Sequence, residues 1–204
     1  IFIKNKILTP KYIKFNFKKN INKKKLINKI KNKIGFPAVI KPFNEGSSVQ
    51  VYICNKFNFF KNLIKLSNYK EVMIEKYIPG REIQVAILGN RKLGAIELKP
   101  KRKFYDYKAK YNVNAKTEHI IPVDLKKKYM KKVLDIAYKA HRIIGCSGVT
   151  RSDFKFYNNK FYLLEINTQP GMTSLSLVPE IARFNKISFI ELIEWILNDA
   201  SINK

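Results

Sequence analysis

Two strand-like stretches around an asparagine pair constrain the fold most. Val149 to Tyr157 and Phe161 to Ile166 read as two strands, with Asn158-Asn159 between them. An Asn pair reads as a turn, so the segment predicts an antiparallel hairpin. Arg151 and Asp153 share one face of its first strand, and Glu165 and Asn167 share one face of the second, because strand side chains alternate. Two carboxylates and an amide on adjacent strands suit magnesium, a hard cation that binds protein oxygens together with nucleotide phosphates. Arg151 beside them can neutralise charge developing on a phosphoryl group or a tetrahedral intermediate. The competing reading is a surface hairpin with scattered salt bridges, and parity separates the two. If Asn158-Asn159 were a two-residue turn, Tyr157 would pair with Lys160, Asp153 would face Leu164, and Glu165 would point away from Asp153. The metal reading therefore needs an odd-numbered loop or a bulge. An odd loop, 157–159 or 158–160, is the expectation.

Elsewhere the pattern alternates between periods of two and 3.6. Tyr12 to Phe17 reads as a strand. Leu26, Ile27, Ile30 and Ile34 give helical spacing over 23 to 33, stopped by Gly35. Ala38 to Pro42 is a short apolar strand, 57 to 66 a helix, and Val72 to Ile78 a strand before the Pro79-Gly80 turn. Glu82 to Leu88 and Lys92 to Lys99 read as strands joined at Gly89-Asn90. Residues 100 to 118 show no period, and a loop of that length in a compact domain is usually functional or disordered. Residues 126 to 144 form the clearest helix. Two short helices follow, near 176 to 184 and from Ser188 to Asn198, the second opened by a Ser188/Glu191 capping box. The subdomain boundary falls near 78 to 81, which divides the chain into 1–78 and 79–204.

Charge adds less than it promises. The 204 residues carry 41 Lys+Arg against 15 Asp+Glu, a formal charge of +26. Alone this suggests a polyanion partner. The lysines are spread along the whole chain, however, and travel with Asn and Ile, which is the mark of compositional bias. No apolar run approaches the length of a membrane span, no secretory signal is visible, and no initiator Met opens the chain. Cys54 and Cys146 lie far apart without CxxC spacing, which fits a reducing, cytoplasmic setting. His119 and His141 have no ligand-spaced partners and read as structural.

Three further segments carry chemistry. In Lys41-Pro-Phe-Asn-Glu-Gly-Ser-Ser48 a strand delivers a lysine into a polar loop whose N–H groups and hydroxyls can hold phosphate oxygens. It is not a Walker A motif, and a plain surface turn is the alternative. Glu75-Lys-Tyr-Ile78 ends a strand whose main chain can meet an adenine edge, and Glu82 can accept from ribose hydroxyls. The alternative is a strand with a charged edge. In Asn167-Thr-Gln-Pro-Gly-Met-Thr173, Pro170-Gly171 forces a turn that exposes N–H groups. A helix beginning near Ser176 would offer its first N–H groups and the Ser176 hydroxyl to a carboxylate.

Taken in order, these segments resemble the D-alanine–D-alanine ligases of the ATP-grasp superfamily. The most specific pieces are Lys41 to Ser48, Phe104-Tyr-Asp-Tyr-Lys-Ala-Lys-Tyr111 and Glu165-Ile-Asn-Thr-Gln-Pro-Gly-Met-Thr173. The resemblance implies an α+β fold of two subdomains that grip ATP between antiparallel sheets: a central one over 1–78, truncated at its start, and a C-terminal catalytic one over 79–204 with a lid loop over 100–118. It implies that Lys41 contacts the ATP phosphates, that Glu75, Lys76 and Ile78 hold adenine, and that Glu82 holds the ribose. Phe104 would pack near the nucleotide and Lys110 reach the γ-phosphate. Asp153, Glu165 and Asn167 would bind two Mg2+ or Mn2+ ions. Arg151 and the Gly171 N–H would stabilise the tetrahedral intermediate, while Ser176 and the Leu177 N–H bind the second D-alanine. Tyr111 and Ser47 would order the lid. The implied reaction phosphorylates one D-alanine to an acyl phosphate, which the amine of the second attacks, for peptidoglycan precursor synthesis. A closing lid would keep water from the acyl phosphate.

Family members begin with a further domain that this sequence lacks, so the isolated chain is expected to ligate poorly. The expected partner is D-alanine, with no specific nucleic acid, no membrane, and a homodimer for the full-length enzyme. The rival readings are another carboxylate–amine or D-alanine–D-lactate ligase of the same superfamily, and, more remotely, a basic polyanion-binding module.

Overall fold

The computed structural model describes residues 1–17, 22–46, 49–100, 117–173 and 176–200. The chain divides into two compact units: Pro10–Ile78 with the described residues of Pro100–Thr117, and Ile1–Thr9, Pro79–Lys99 and the described residues of Glu118–Lys204. The first nine residues thus belong with the later part of the chain.

The unit around Pro10–Ile78 is an antiparallel sheet of β1 (Tyr12–Asn16), β2 (Ala38–Pro42), β3 (Tyr52–Cys54) and β4 (Glu71–Lys76), in the order β1-β4-β2-β3. Helices α1 (Lys23–Lys33) and α2 (Phe59–Ile64) supply the rest of its core. The Asn22 side chain caps α1 by accepting from the Lys25 N–H at 2.9 Å, and Leu26 and Ile30 form its buried stripe. Gly35, at φ +76, ends the helix and donates its N–H back to the Ile30 carbonyl at 2.8 Å, the left-handed close that glycine permits. Ala38, Ile40, Val72 and Ile74 turn into this core. Alternation therefore sends Val39, Lys41, Met73 and Glu75 to the opposite face.

The other unit holds β5 (Arg81–Leu88), β6 (Arg91–Lys99), β7 (Glu118–Ile120), β8 (Val149–Tyr157) and β9 (Lys160–Asn167), antiparallel throughout, in the order β7-β6-β5-β8-β9. Helix α3 (Lys127–Ile143) buries Val133, Ala137 and Ala140 against Ile83, Val85, Phe154 and Phe161. Truncating a fully buried phenylalanine such as Phe154 would cost about 3–5 kcal/mol. Helices α4 (Leu177–Phe184) and α5 (Phe189–Asp199) follow, the latter opened by the Ser188/Glu191 capping box that the spacing predicts. Strands β3 and β7 were not expected from the sequence. Each is three residues long at a sheet edge, too short to show alternation.

The β8–β9 hairpin corrects the loop expectation. Tyr157 pairs with Lys160, so the turn has two residues, Asn158 and Asn159, at φ +47 and +58. Both angles are left-handed, as a type I′ turn requires, and asparagine tolerates them. Parity is restored by a bulge instead. Phe154 pairs with Leu163, whereas Asp153 pairs with Glu165, which leaves Leu164 as the extra residue. The core dictates the slip: Phe161 and Leu163 are 2% and 1% exposed, whereas Leu164 is 38% exposed.

Candidate active site

The five-stranded sheet has one face under α3; the other is polar over β5, β8 and β9, and register sets the order of residues there. Gln84, Asp153 and Glu165 stand directly opposite one another across β5, β8 and β9. One step along, Ala86, Arg151 and Asn167 form the next row, and on the other side Glu82 stands opposite Lys155. Directly opposed side chains start with Cβ atoms about 4.5–5.5 Å apart, so the sheet brings Arg151, Asp153, Glu165 and Asn167 together.

Charge is paired between these rows. The Arg151 guanidinium donates to Asp153 through Nε at 2.8 Å and Nη2 at 3.0 Å, a bidentate fork of the stronger hydrogen-bond class. The Gln84 amide, with its nitrogen toward the carboxylate, donates to Asp153 Oδ1 and to Oδ2 at 3.2 Å. Asp153 is thereby held in a single orientation. Lys155 Nζ donates to Glu82 Oε1 at 2.6 Å, with both side chains about nine-tenths buried.

The donor set fits magnesium. Among the described residues no three His, Cys, Asp or Glu side chains gather as a metal cluster. Asp153, Glu165 and Asn167, from two neighbouring rows, instead offer two carboxylates and an amide, hard oxygen donors suited to an ion that takes its other ligands from phosphate and water. Among the described residues the buried Asn167 amide nitrogen has no hydrogen-bond partner. Half a turn of that amide presents its oxygen in the same place.

The turn after β9 comes back upon itself. A Cβ on Gly171 would lie 2.9 Å from Ser176 Oγ, so Gly171 and Ser176 are neighbours, and a larger residue there would require the Ser176 hydroxyl to shift. The Ser176 hydroxyl accepts from the Thr173 N–H at 3.0 Å and shares a hydrogen bond with Thr173 Oγ1 at 2.9 Å. Ser176 stands at the N-cap of α4 but makes no side-chain capping bond. The first-turn N–H groups, Leu177 included, therefore keep donor capacity for an anion. Glu180 in that turn is held by His119 Nδ1 at 2.6 Å.

In the unit around Pro10–Ile78, Lys41 Nζ pairs with Glu75 Oε1 at 2.9 Å on the face away from the core. The Lys76 N–H donates to the Lys11 carbonyl at 2.8 Å and the Tyr77 N–H to Pro37 at 3.3 Å. The main chain of this segment is thus partly engaged in the sheet, and Ile78 is 5% exposed. Ser47, Phe104, Lys110 and Tyr111 lie outside the described residues.

Sequence reasoning passed over Gln84 and Lys155. Each sits two residues from a candidate on the same strand, Glu82 and Asp153, and same-face spacing was the available signal. The remaining ionisable oddities lie off this face. Burial pushes the Cys54 and Cys146 thiols up, which keeps both poorly nucleophilic. Burial pushes His141 down, and its Nδ1 meets Thr150 Oγ1 at 2.9 Å.

A family model described as "D-ala D-ala ligase C-terminus" matches residues 1–198. The chain is 69% identical over 204 residues to a D-alanine–D-alanine ligase of Pelagibacter ubique, covering all of this chain and 66% of that protein. It is 44% identical over 177 residues to a D-alanine–D-alanine ligase of Wolbachia pipientis, covering 84% of this chain and 56% of the relative. The chain thus spans from a little over half to about two thirds of the length of these relatives. The crystal structure of a D-alanine–D-alanine ligase from Bacillus anthracis superposes with a TM-score of 0.83 at 30% identity, covering 97% of this chain and 64% of that one. A structure of the Bacillus anthracis enzyme complexed with ATP gives 0.79 at 27% identity, covering 97% and 62%. The two antiparallel sheets with their helices are the α+β ATP-grasp fold of those ligases. With the family model matching all but the last six residues, the chain belongs to the D-Ala–D-Ala ligase family, in the region its C-terminus model describes.

Proposed function

We propose that this chain is the ATP-binding and catalytic part of a ligase that joins D-alanine to D-alanine for peptidoglycan synthesis, working in the cytoplasm, where Cys54 and Cys146 stay as thiols. The observation that carries the reading is the register of β8 and β9. The bulge at Leu164 sets Glu165 opposite Asp153, and Asn167 opposite Arg151, on one polar face.

Divalent magnesium held by Asp153, Glu165 and Asn167 would supply Lewis-acid stabilisation of phosphate charge. Arg151, already oriented by Asp153, puts a fixed cation beside the developing oxyanion, and the Gly171 N–H adds a donor. Lys41 gives the phosphates a counter-charge, with Glu75 as its holding partner. Glu75, Lys76 and Ile78 take the adenine and Glu82 the ribose hydroxyls. Ser176 and the Leu177 N–H bind the carboxylate of the amine substrate. Phe104, Lys110, Tyr111 and Ser47 complete the nucleotide contacts and the lid. Tyr111 and the Phe-Tyr-Asp-Tyr lid favour D-alanine over D-lactate as the second substrate.

Binding and turnover test this together. ATP binding should require magnesium, and Asp153→Asn or Glu165→Gln should weaken magnesium-dependent binding and any ligation by about 10²–10³-fold. ATP binding indifferent to magnesium and to both substitutions would overturn the reading. Competition between D-alanine and D-lactate across pH reads the second-substrate choice, and preferential use of D-lactate would refute the D-alanine assignment.

A further inference from the structure

Lys155 is an unusual member of this lysine-rich chain, because lysine is almost never fully buried unless paired, and this one is 9% exposed. It sits in β8 between the inward-facing Phe154 and Phe156, so alternation turns it to the polar face, directly opposite Glu82. Its ammonium donates to Glu82 Oε1 at 2.6 Å and approaches the Gly80 carbonyl at 3.5 Å. Glu82 Oε2 makes no hydrogen bond with a described residue. Such a buried ion pair is weakly stabilising at best, since desolvation offsets its Coulombic gain. Its consequence is geometric. One carboxylate oxygen is pinned, the side chain is confined to one rotamer, and the second oxygen is left as an acceptor. The lysine also cancels the glutamate's charge, which would otherwise repel a polyanionic nucleotide.

We propose that Lys155 is a positioning residue that aims the Glu82 carboxylate at the ribose diol of ATP. This rests on the reading above that Glu82 holds the ribose. A carboxylate accepts from two hydroxyls well only when its plane is fixed, and Lys155 fixes it without touching the nucleotide.

The test compares equilibrium binding of magnesium-ATP and magnesium-2′,3′-dideoxy-ATP. The unsubstituted protein should prefer ATP by about 10–100-fold, the worth of hydrogen bonds to a charged group. Lys155→Met should reduce that preference to within about threefold, with both nucleotides bound more weakly because the unpaired Glu82 carboxylate repels them, and Lys155→Arg should restore most of the preference. Glu82→Gln should lower the preference as well, and the Glu82→Gln/Lys155→Met double variant should discriminate no worse than Glu82→Gln alone. If Lys155→Met fails to give a cooperative melt, Lys155→Gln, which keeps a donor with shorter reach, carries the same test through a partial loss. A preference untouched by Glu82→Gln, or absent from the unsubstituted protein, removes the ribose assignment and this inference with it. A preference lost in Glu82→Gln but retained in Lys155→Met or Lys155→Gln overturns the positioning role alone, as does a double variant clearly worse than Glu82→Gln.

Discussion

In the five-stranded sheet, β5–β6 turns over Gly89-Asn90 and β8–β9 over Asn158-Asn159. Both are two-residue turns, and each ladder slips by one residue, at Leu93 in β6 and at Leu164 in β9. The outcomes differ. Leu93 is 3% exposed, and the next residue, Gly94, at φ +154, lies beneath α4, where a Cβ would come within 3.1 Å of both Ile181 Cγ2 and Asn185 Nδ2. Leu164 is partly exposed, and the next residue, Glu165, faces Asp153. The same local insertion seats a helix in one hairpin and gathers carboxylates in the other. What decides between the two is the residue after the bulge: a missing side chain invites packing, and a charged one builds a site.

The packing half of this comparison breaks most easily. Gly94→Val should lower stability by about 1–3 kcal/mol, through overpacking against α4 and a backbone angle that L side chains rarely adopt. Urea unfolding reads it, and an unchanged midpoint would show that α4 gives way without cost.

A pH series sharpens the comparison at the same corner, with a smaller effect. Thr150, opposite Ile87 beside the first bulge, is bonded to His141. Burial, with help from Arg142 and against Asp199, holds His141 below its usual value. Below about pH 6.5 the unfolded chain therefore binds a proton that the folded chain refuses, so stability is complete above that pH and falls as the solution is acidified. In a His119→Gln background, the urea midpoint should drop between pH 7.5 and 5.5, and His141→Gln should flatten the slope. Parallel slopes would remove His141 from the account.

The smallest effect is expected from deleting Leu164. The ladder then becomes regular while Asp153 still faces Glu165, so magnesium-dependent ATP binding should stay within about threefold. A loss beyond tenfold would mean that the added twist of the bulge, as well as its parity, shapes the site.

Much of this arrangement could be read from the residues. The spacing of Leu26 and Ile30 located α1, Ser188 with Glu191 located α5, and alternation put Arg151 with Asp153 and Glu165 with Asn167. Parity also stated that an odd loop or a bulge was required. The odd loop expected from it gave way to a bulge, because the choice lies in how tightly Phe161 and Leu163 are drawn under α3, which is a tertiary matter. Strands β3 and β7 escaped notice for the same reason, since three-residue edges exist only through their partners. The Lys155–Glu82 pair joins residues 73 positions apart, and no local pattern announces a contact across that separation.

Gly80 has a consequence beyond the site it adjoins. At φ +108, it passes so close to β8 that any Cβ would overlap the Phe156 carbonyl oxygen. Randomising the codons around this junction and selecting for folded product would return a single letter there, whatever the fate of nucleotide chemistry. Anyone ranking positions by intolerance would then file a steric bottleneck beside true ligands, and only its lack of a functional group would tell them apart.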